Sequence, residues 1–147
     1  MARLHPSGPR RPAEEDVRAL IGLFTRVADR WGLSVEERLT LLGSIGRTTH
    51  YQWTHEQPPR ALSADQVERI AHVIGIDVAT QAFYGLSSPN AATHVRRPYT
   101  APNGEGTALS VMLTGLPGLA EVRRHLEVLG GGSAATVLLD PTVNGAR

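Results

Sequence analysis

Apolar residues recur at helical spacing through most of this chain. Val17, Leu20, Ile21, Phe24, Val27 and Trp31 fall three or four residues apart, behind an acidic first turn, Glu14-Glu15-Asp16, that opposes the helix dipole. The pattern predicts an amphipathic helix that begins after Pro12 and ends at Gly32. Ser34 and, three residues on, Glu37 make a capping box ahead of Leu39, Leu41 and Leu42, and Gly43 stops this second helix. After the turn Gly43-Ser44-Ile45-Gly46, the segment Arg47-Thr48-Thr49-His50-Tyr51-Gln52-Trp53 predicts a short polar-faced helix, closed by the breakers Gln57-Pro58-Pro59. A helix, a tight turn and a short polar helix match helix-turn-helix geometry. Ser63 and Gln66 form another capping box, and Val67, Ile70, Ala71 and Ile74 line a fourth helix that Gly75 terminates.

Beyond residue 75 the signals continue to be helical. Asp77 is expected to cap a helix from Val78 to Tyr84 whose Val78, Ala79, Ala82 and Phe83 cover the end of the first bundle. Ser88-Pro89 starts the next helix, which must end before Pro98. From His94 to Gly130 runs a stiff, glycine-rich loop set between helices, with Pro98, Pro102, Gly104 and Gly106 close together. Thr107 caps the helix holding Leu109, Met112 and Leu113, and Gly115-Leu116-Pro117-Gly118 breaks it. Leu119, Val122, Leu126 and Leu129 mark a last helix with Glu121, Arg123, Arg124 and Glu127 on its wet side, ended by Gly130-Gly131-Gly132.

The fold expected is all-α: an N-terminal helix-turn-helix bundle followed by a small helical domain. Four parts are expected: a disordered basic arm over residues 1–12, the helix-turn-helix domain over 13–75, the second domain over 76–130 and a flexible tail over 131–147. The tail carries one apolar cluster, Val137-Leu138-Leu139, which either docks on a partner or stays unordered.

Composition narrows the chemistry. The chain lacks cysteine, which excludes disulfides, thiolate catalysis and Cys-type zinc sites. No apolar run is long enough to span a membrane, and the N-terminus has no signal-type stretch, so a cytoplasmic protein is expected. The histidines at 5, 50, 55, 72, 94 and 125 show no metal-binding spacing, and His72 sits beside an apolar stripe as a partly buried residue. Ser110 lacks the flanking glycines of a nucleophile elbow. The loop P-N-G-E-G-T precedes a helix, as phosphate cradles do, but the chain contains no lysine and no phosphate-loop pattern. No catalytic residue, metal or cofactor is expected.

Charge bears on partners. All 15 cationic residues are arginine, from either planar anion recognition or codon bias. The net charge of +1 comes from the N-terminal arm, and residues 13–75 are acidic on balance. Arg47, Thr48, Thr49, His50 and Gln52 are the candidate DNA contacts, because such side chains reach phosphates and base edges. Phosphate neutralisation dominates DNA affinity, so dimerisation or the arm would have to add to this module; otherwise the helix-turn-helix serves packing alone.

The arrangement resembles the MbcA/ParS/Xre antitoxins, which join an N-terminal helix-turn-helix to a C-terminal toxin-binding domain. The resemblance covers residues 15–130 and is carried by Arg97-Pro98-Tyr99, Asn103-Gly104-Glu105-Gly106-Thr107-Ala108-Leu109 and Gly118-Leu119-Ala120-Glu121-Val122. His94 stands where the family has Trp, Tyr99 where it has Asn and Ala108 where it has Pro. The resemblance implies a non-catalytic inhibitor that covers the active-site entrance of a RES-domain toxin, one that consumes NAD or transfers ADP-ribose. It also implies repression of its own operon by binding operator DNA, and a homodimer or a toxin–antitoxin hetero-oligomer. A pre-organised loop rimmed by arginine suits protein recognition, which makes Arg96, Arg97, Tyr99, Asn103, Gly104, Thr107, Arg123 and Arg124 the candidate toxin contacts. The alternative is a stand-alone transcriptional regulator whose C-terminal domain binds a ligand or dimerises.

Overall fold

A computed structural model describes residues 14–99 and 106–129, and every described element is helical. The elements are α1 (Glu14–Arg30), α2 (Val35–Leu41), α3 (Arg47–Tyr51) running into a π turn (Gln52–Glu56), α4 (Ala64–Tyr84), α5 (Pro89–Thr93) running into a 3-10 turn (His94–Arg96), α6 (Ala108–Met112) and α7 (Leu116–Leu129). The expected arm, residues 100–105 of the glycine-rich stretch and the tail lie outside the described residues, and the rest of the stretch from His94 to Leu129 is largely helical, as α6 and α7. The all-α expectation holds, with one isolated β-bridge, Pro98 to Thr107.

Local signals account for the starts. Ser34 and Glu37 form the capping box of α2, Ser63 and Gln66 that of α4, and Ser88 caps α5 with Pro89 in its first turn. Thr107 caps α6, with Ser110 completing the box. Gly43, at φ 97°, and Ser44, at φ 62°, take the left-handed conformations that turn the chain between α2 and α3.

Tertiary packing alters three readings. Gly75 does not end a helix: α4 runs through it to Tyr84. The side chain of Arg123 on α7 lies across this position, where an added Cβ would fall 2.6 Å from its Cζ and Nε. An internal glycine costs a helix about 1 kcal/mol, and the close pairing of α4 with α7 offsets that cost. Asp77 is therefore not a cap but a residue of mid-helix, 4% exposed, held by Arg30 of α1 at 2.6 Å and by the Gln81 amide at 2.8 Å. Val78 and Phe83, expected to cover the bundle, instead face solvent, because Asp77 and Thr80 occupy the buried side of the helix. At the other end, α7 begins at Leu116 rather than Leu119, since proline lacks only an N–H that the first helical turn leaves unpaired. Leu129 is half exposed, whereas Leu119, Val122 and Leu126 are buried.

One contiguous core joins both halves of the chain. It takes Val17 and Phe24 from α1 and Trp31 just after it, Leu41 from α2 and Leu42 from its C-cap, and Ile70, Val73 and Ile76 from α4. Val95, Tyr99, Leu109, Met112, Leu119, Val122 and Leu126 extend it to the C-terminal helices. Because α4 contributes to both ends, it fixes α6 and α7 relative to the helix-turn-helix.

Candidate functional site

Two surfaces carry the residues that the sequence singles out as candidate contacts. The first is the outer face of α3 and its π turn. Ile45 and Trp53 pack partly against the core, which anchors the short helix from both ends. Arg47, Thr48, Tyr51, Gln52 and His55 are exposed, while Thr49, His50, Trp53 and Thr54 are turned partly inward. Of the five candidate DNA contacts, then, Arg47, Thr48 and Gln52 stand on the outer face, and Thr49 and His50 are half-buried. Burial lowers the pKa of His50, and the nearby Arg38 and His55 add to the effect. Tyr51 and His55 complete the exposed face and were not singled out in the sequence. Counting i, i+4 and i+8 from Arg47 was the signal that finds them. Arg47 forms an ion pair with Glu36 of α2, both side chains being exposed, so a phosphate would compete with a carboxylate for this cation.

The second surface surrounds the base of the loop between residues 99 and 106. The Pro98–Thr107 bridge and the Tyr99 N–H, donating to the Gly106 carbonyl at 2.9 Å, pin the loop ends together. Tyr99 is 6% exposed and its ring meets His125 of α7 edge-on at 5.1 Å. Burial raises the phenol's pKa, with the negative charge of Glu121 acting in the same direction. His94, half-buried, shares a 2.8 Å hydrogen bond with the Tyr84 hydroxyl. Burial lowers its pKa, followed by the charges of Arg97 and His125.

The arginines at this surface are engaged by different neighbours. Arg96 reaches back to the helix-turn-helix: its Nη1 and Nη2 donate to the Glu37 carboxylate at 3.2 and 2.9 Å, and Nη2 also donates to the Gly32 carbonyl at 2.8 Å. Glu37 is the same residue that caps α2 through the Ser34 N–H at 2.8 Å. The Arg96 guanidinium holds the Glu37 carboxyl below the usual carboxylate range against the opposing effect of burial. Arg97 donates to Asn90 and lies over the Tyr84 ring at 5.7 Å. Arg123 pairs with Glu127 at 3.1 Å and approaches His72. His72 is half-buried, with its pKa lowered by burial and then by Arg123. Arg124 is exposed. Thr107 is spent as the cap of α6, Tyr99 is a core residue, and Asn103 and Gly104 lie outside the described residues. On the described surface, Arg97 and Arg124 remain the candidate contacts whose side chains are most open to a partner.

Among the described residues no group of three His, Cys, Asp or Glu side chains converges to hold a metal, and no helix is long and apolar enough to cross a membrane.

Comparison with known proteins bears on both surfaces. Residues 14–80 match the model of the antitoxin Xre-like helix-turn-helix domain. The protein is 35% identical over 124 residues to an uncharacterized protein, y4oB, of Sinorhizobium fredii (strain NBRC 101917 / NGR234), over 82% of this chain and 93% of that protein. That likeness extends past the helix-turn-helix into the C-terminal helices.

Proposed function

Since the chain belongs to the Xre-type antitoxins with an N-terminal helix-turn-helix, we propose that it neutralises a cognate RES-domain, NAD-consuming toxin through residues 76–130 and represses its own operon through α2 and α3. It acts by occlusion, without turnover, in the cytoplasm. The observation that carries this reading is the match of residues 14–80 to the antitoxin domain on a fold whose polar helix, Arg47–Tyr51, is left exposed. The C-terminal helices are held against the same core, so a toxin seated there and an operator bound by α3 would act on one body. Arg97, Arg124 and the exposed Val78 and Phe83 offer the mixture of cation and apolar surface that protein interfaces use as anchors.

Co-expression tests the reading. The protein is expected to restore growth to cells expressing the product of the adjacent reading frame, to co-purify with it and to prevent loss of cellular NAD. Failure of both rescue and co-purification would refute the toxin half. The half-exposed Val78 and Phe83, with the exposed Leu86, also favour a second reading, a stand-alone regulator that dimerises through its C-terminal part. The same co-expression separates the two, because only the first requires that the protein rescue growth and co-purify with the product of the adjacent reading frame.

A further inference from the structure

An exposed aromatic pair sits at the C-terminal end of α3, where the helix runs into its π turn. The rings of Tyr51 and His55 stack 4.3 Å apart with planes 12° from parallel, and Tyr51 is 54% exposed. Two local features hold the stack. The helix widens at Gln52–Glu56 into a π turn, in which the Gln57 N–H donates to the Gln52 carbonyl at 2.8 Å, and this turn carries His55 on the side of Tyr51. The Thr54 hydroxyl lies 2.8 Å from His55 Nδ1 and within 3.0 and 3.3 Å of the His50 and Tyr51 carbonyls.

Those distances assign the imidazole. A hydroxyl has one proton, and here it has carbonyl acceptors for it. Nδ1 also lies 3.3 Å from the Tyr51 carbonyl, which can only accept. The arrangement that satisfies every group puts the ring proton on Nδ1, donated to the Thr54 oxygen, and leaves Nε2 with its lone pair; the tautomer is thus inferred from its partners. The surrounding charge is muted, since Arg47 is tied to Glu36. The face therefore presents neutral hydrogen-bonding and stacking groups more than cations, which suits reading bases better than gripping phosphates.

Resting on the DNA-binding reading above, we propose that Tyr51 and His55 determine operator specificity. With the helix in the major groove, His55 Nε2 accepts a hydrogen bond from the exocyclic amino group of adenine or cytosine, the donors those bases display there. Tyr51 is the positioning residue: its ring holds the imidazole in plane before DNA arrives, which reduces the ordering cost of the contact.

The test uses the full chain and a pool of duplex DNA with a randomised core, the bound fraction being sequenced. Wild-type protein is expected to enrich a motif. Arg47→Ala should keep that motif while binding all duplexes more weakly, as loss of a phosphate contact does. His55→Ala should lose preference at one base pair per half-site and bind the wild-type motif about tenfold less tightly. Tyr51→Ala should blur the same position, whereas Tyr51→Phe, which keeps the stack, should restore it. Melting curves monitored by circular dichroism should be unchanged in the position-55 and position-51 variants, because both side chains are exposed. Wild-type protein that enriches no motif would remove the DNA-binding reading, and the proposal with it. A wild-type motif selected with undiminished affinity by His55→Ala and Tyr51→Ala would remove the proposal alone.

Discussion

Replacing Gly118 by alanine is expected to destabilise the protein by about 2 kcal/mol, although the same substitution in most helices stabilises. Gly118 lies in the first turn of α7 and is buried against the end of α6. A Cβ built there would fall 2.0 Å from the Val111 carbonyl oxygen, 2.5 Å from the Thr114 hydroxyl and 3.0 Å from the Val111 carbonyl carbon. The nearest obstacle is backbone, and the Val111 oxygen is already held by the Thr114 hydroxyl at 2.7 Å and the Thr114 N–H at 3.1 Å. Relief requires moving α6 from α7 by roughly 1 Å, a cost of about 3 kcal/mol for a packed interior. The gain in helix propensity returns about 1 kcal/mol. For a chain of this size the net loss corresponds to a fall in Tm of about 4–8 °C by scanning calorimetry. Gly22→Ala in α1 is the control. Its Cβ would meet only the tip of Arg26 at 4.0 Å, so it should be neutral or stabilising by up to about 1 kcal/mol. Equal Tm values for the two variants would refute the close approach of α6 and α7 and, with it, the placement of the loop base that both helices support.

Three further outcomes follow from the ion pairs and histidines. Arg30→Ala leaves the Asp77 carboxylate buried with only the Gln81 amide, and should cost about 2 kcal/mol in urea denaturation; the half-exposed position of Arg30 keeps the loss below that of a fully buried pair. A double-mutant cycle of Arg96→Ala with Glu37→Gln, which retains a capping oxygen, should give a coupling of about 0.5–1 kcal/mol, since the pair is partly solvated; zero coupling would mean that Arg96 does not tie the C-terminal helices to α2. His50, His72 and His94 all have lowered pKa values, each mainly through burial, so below about pH 6.5 the unfolded chain binds more protons than the folded one. Their contribution is fully present above that value and is lost as pH falls. The depressed carboxyl of Glu37 acts in the same direction, its contribution being present above the ordinary Glu range and lost at lower pH still. Tm should therefore decline as pH falls from about 7.5 to about 5.5, and His94→Gln should shrink that decline; a flat profile would contradict the histidine burial.

What could be read from residue order alone was local. The capping boxes at Ser34 and Ser63, the cap at Ser88 and the cap at Thr107 each involve side chains within three residues of the amide they satisfy. The apolar stripes of α1 and α7 needed only the helical period, and the helix-turn-helix followed from two helices and the turn between them. The helix through Gly75 was not legible, because the α7 packing that accompanies it, with Arg123 lying across the position, comes from 48 residues away in the numbering of the chain. The same distance in sequence hid the roles of Asp77 and Arg96. Asp77 before an apolar run reads as a cap, yet Arg30 draws it into the core. Arg96 beside a glycine-rich loop reads as an anchor for a partner, yet Glu37 holds it against α2. Sequence by itself determined the starts of α2, α4, α5 and α6, because a cap acts within one turn. Tertiary structure decided which helices run on, which faces stay open and which arginines are left for a partner, because those depend on charges and close contacts brought together only when the chain has folded.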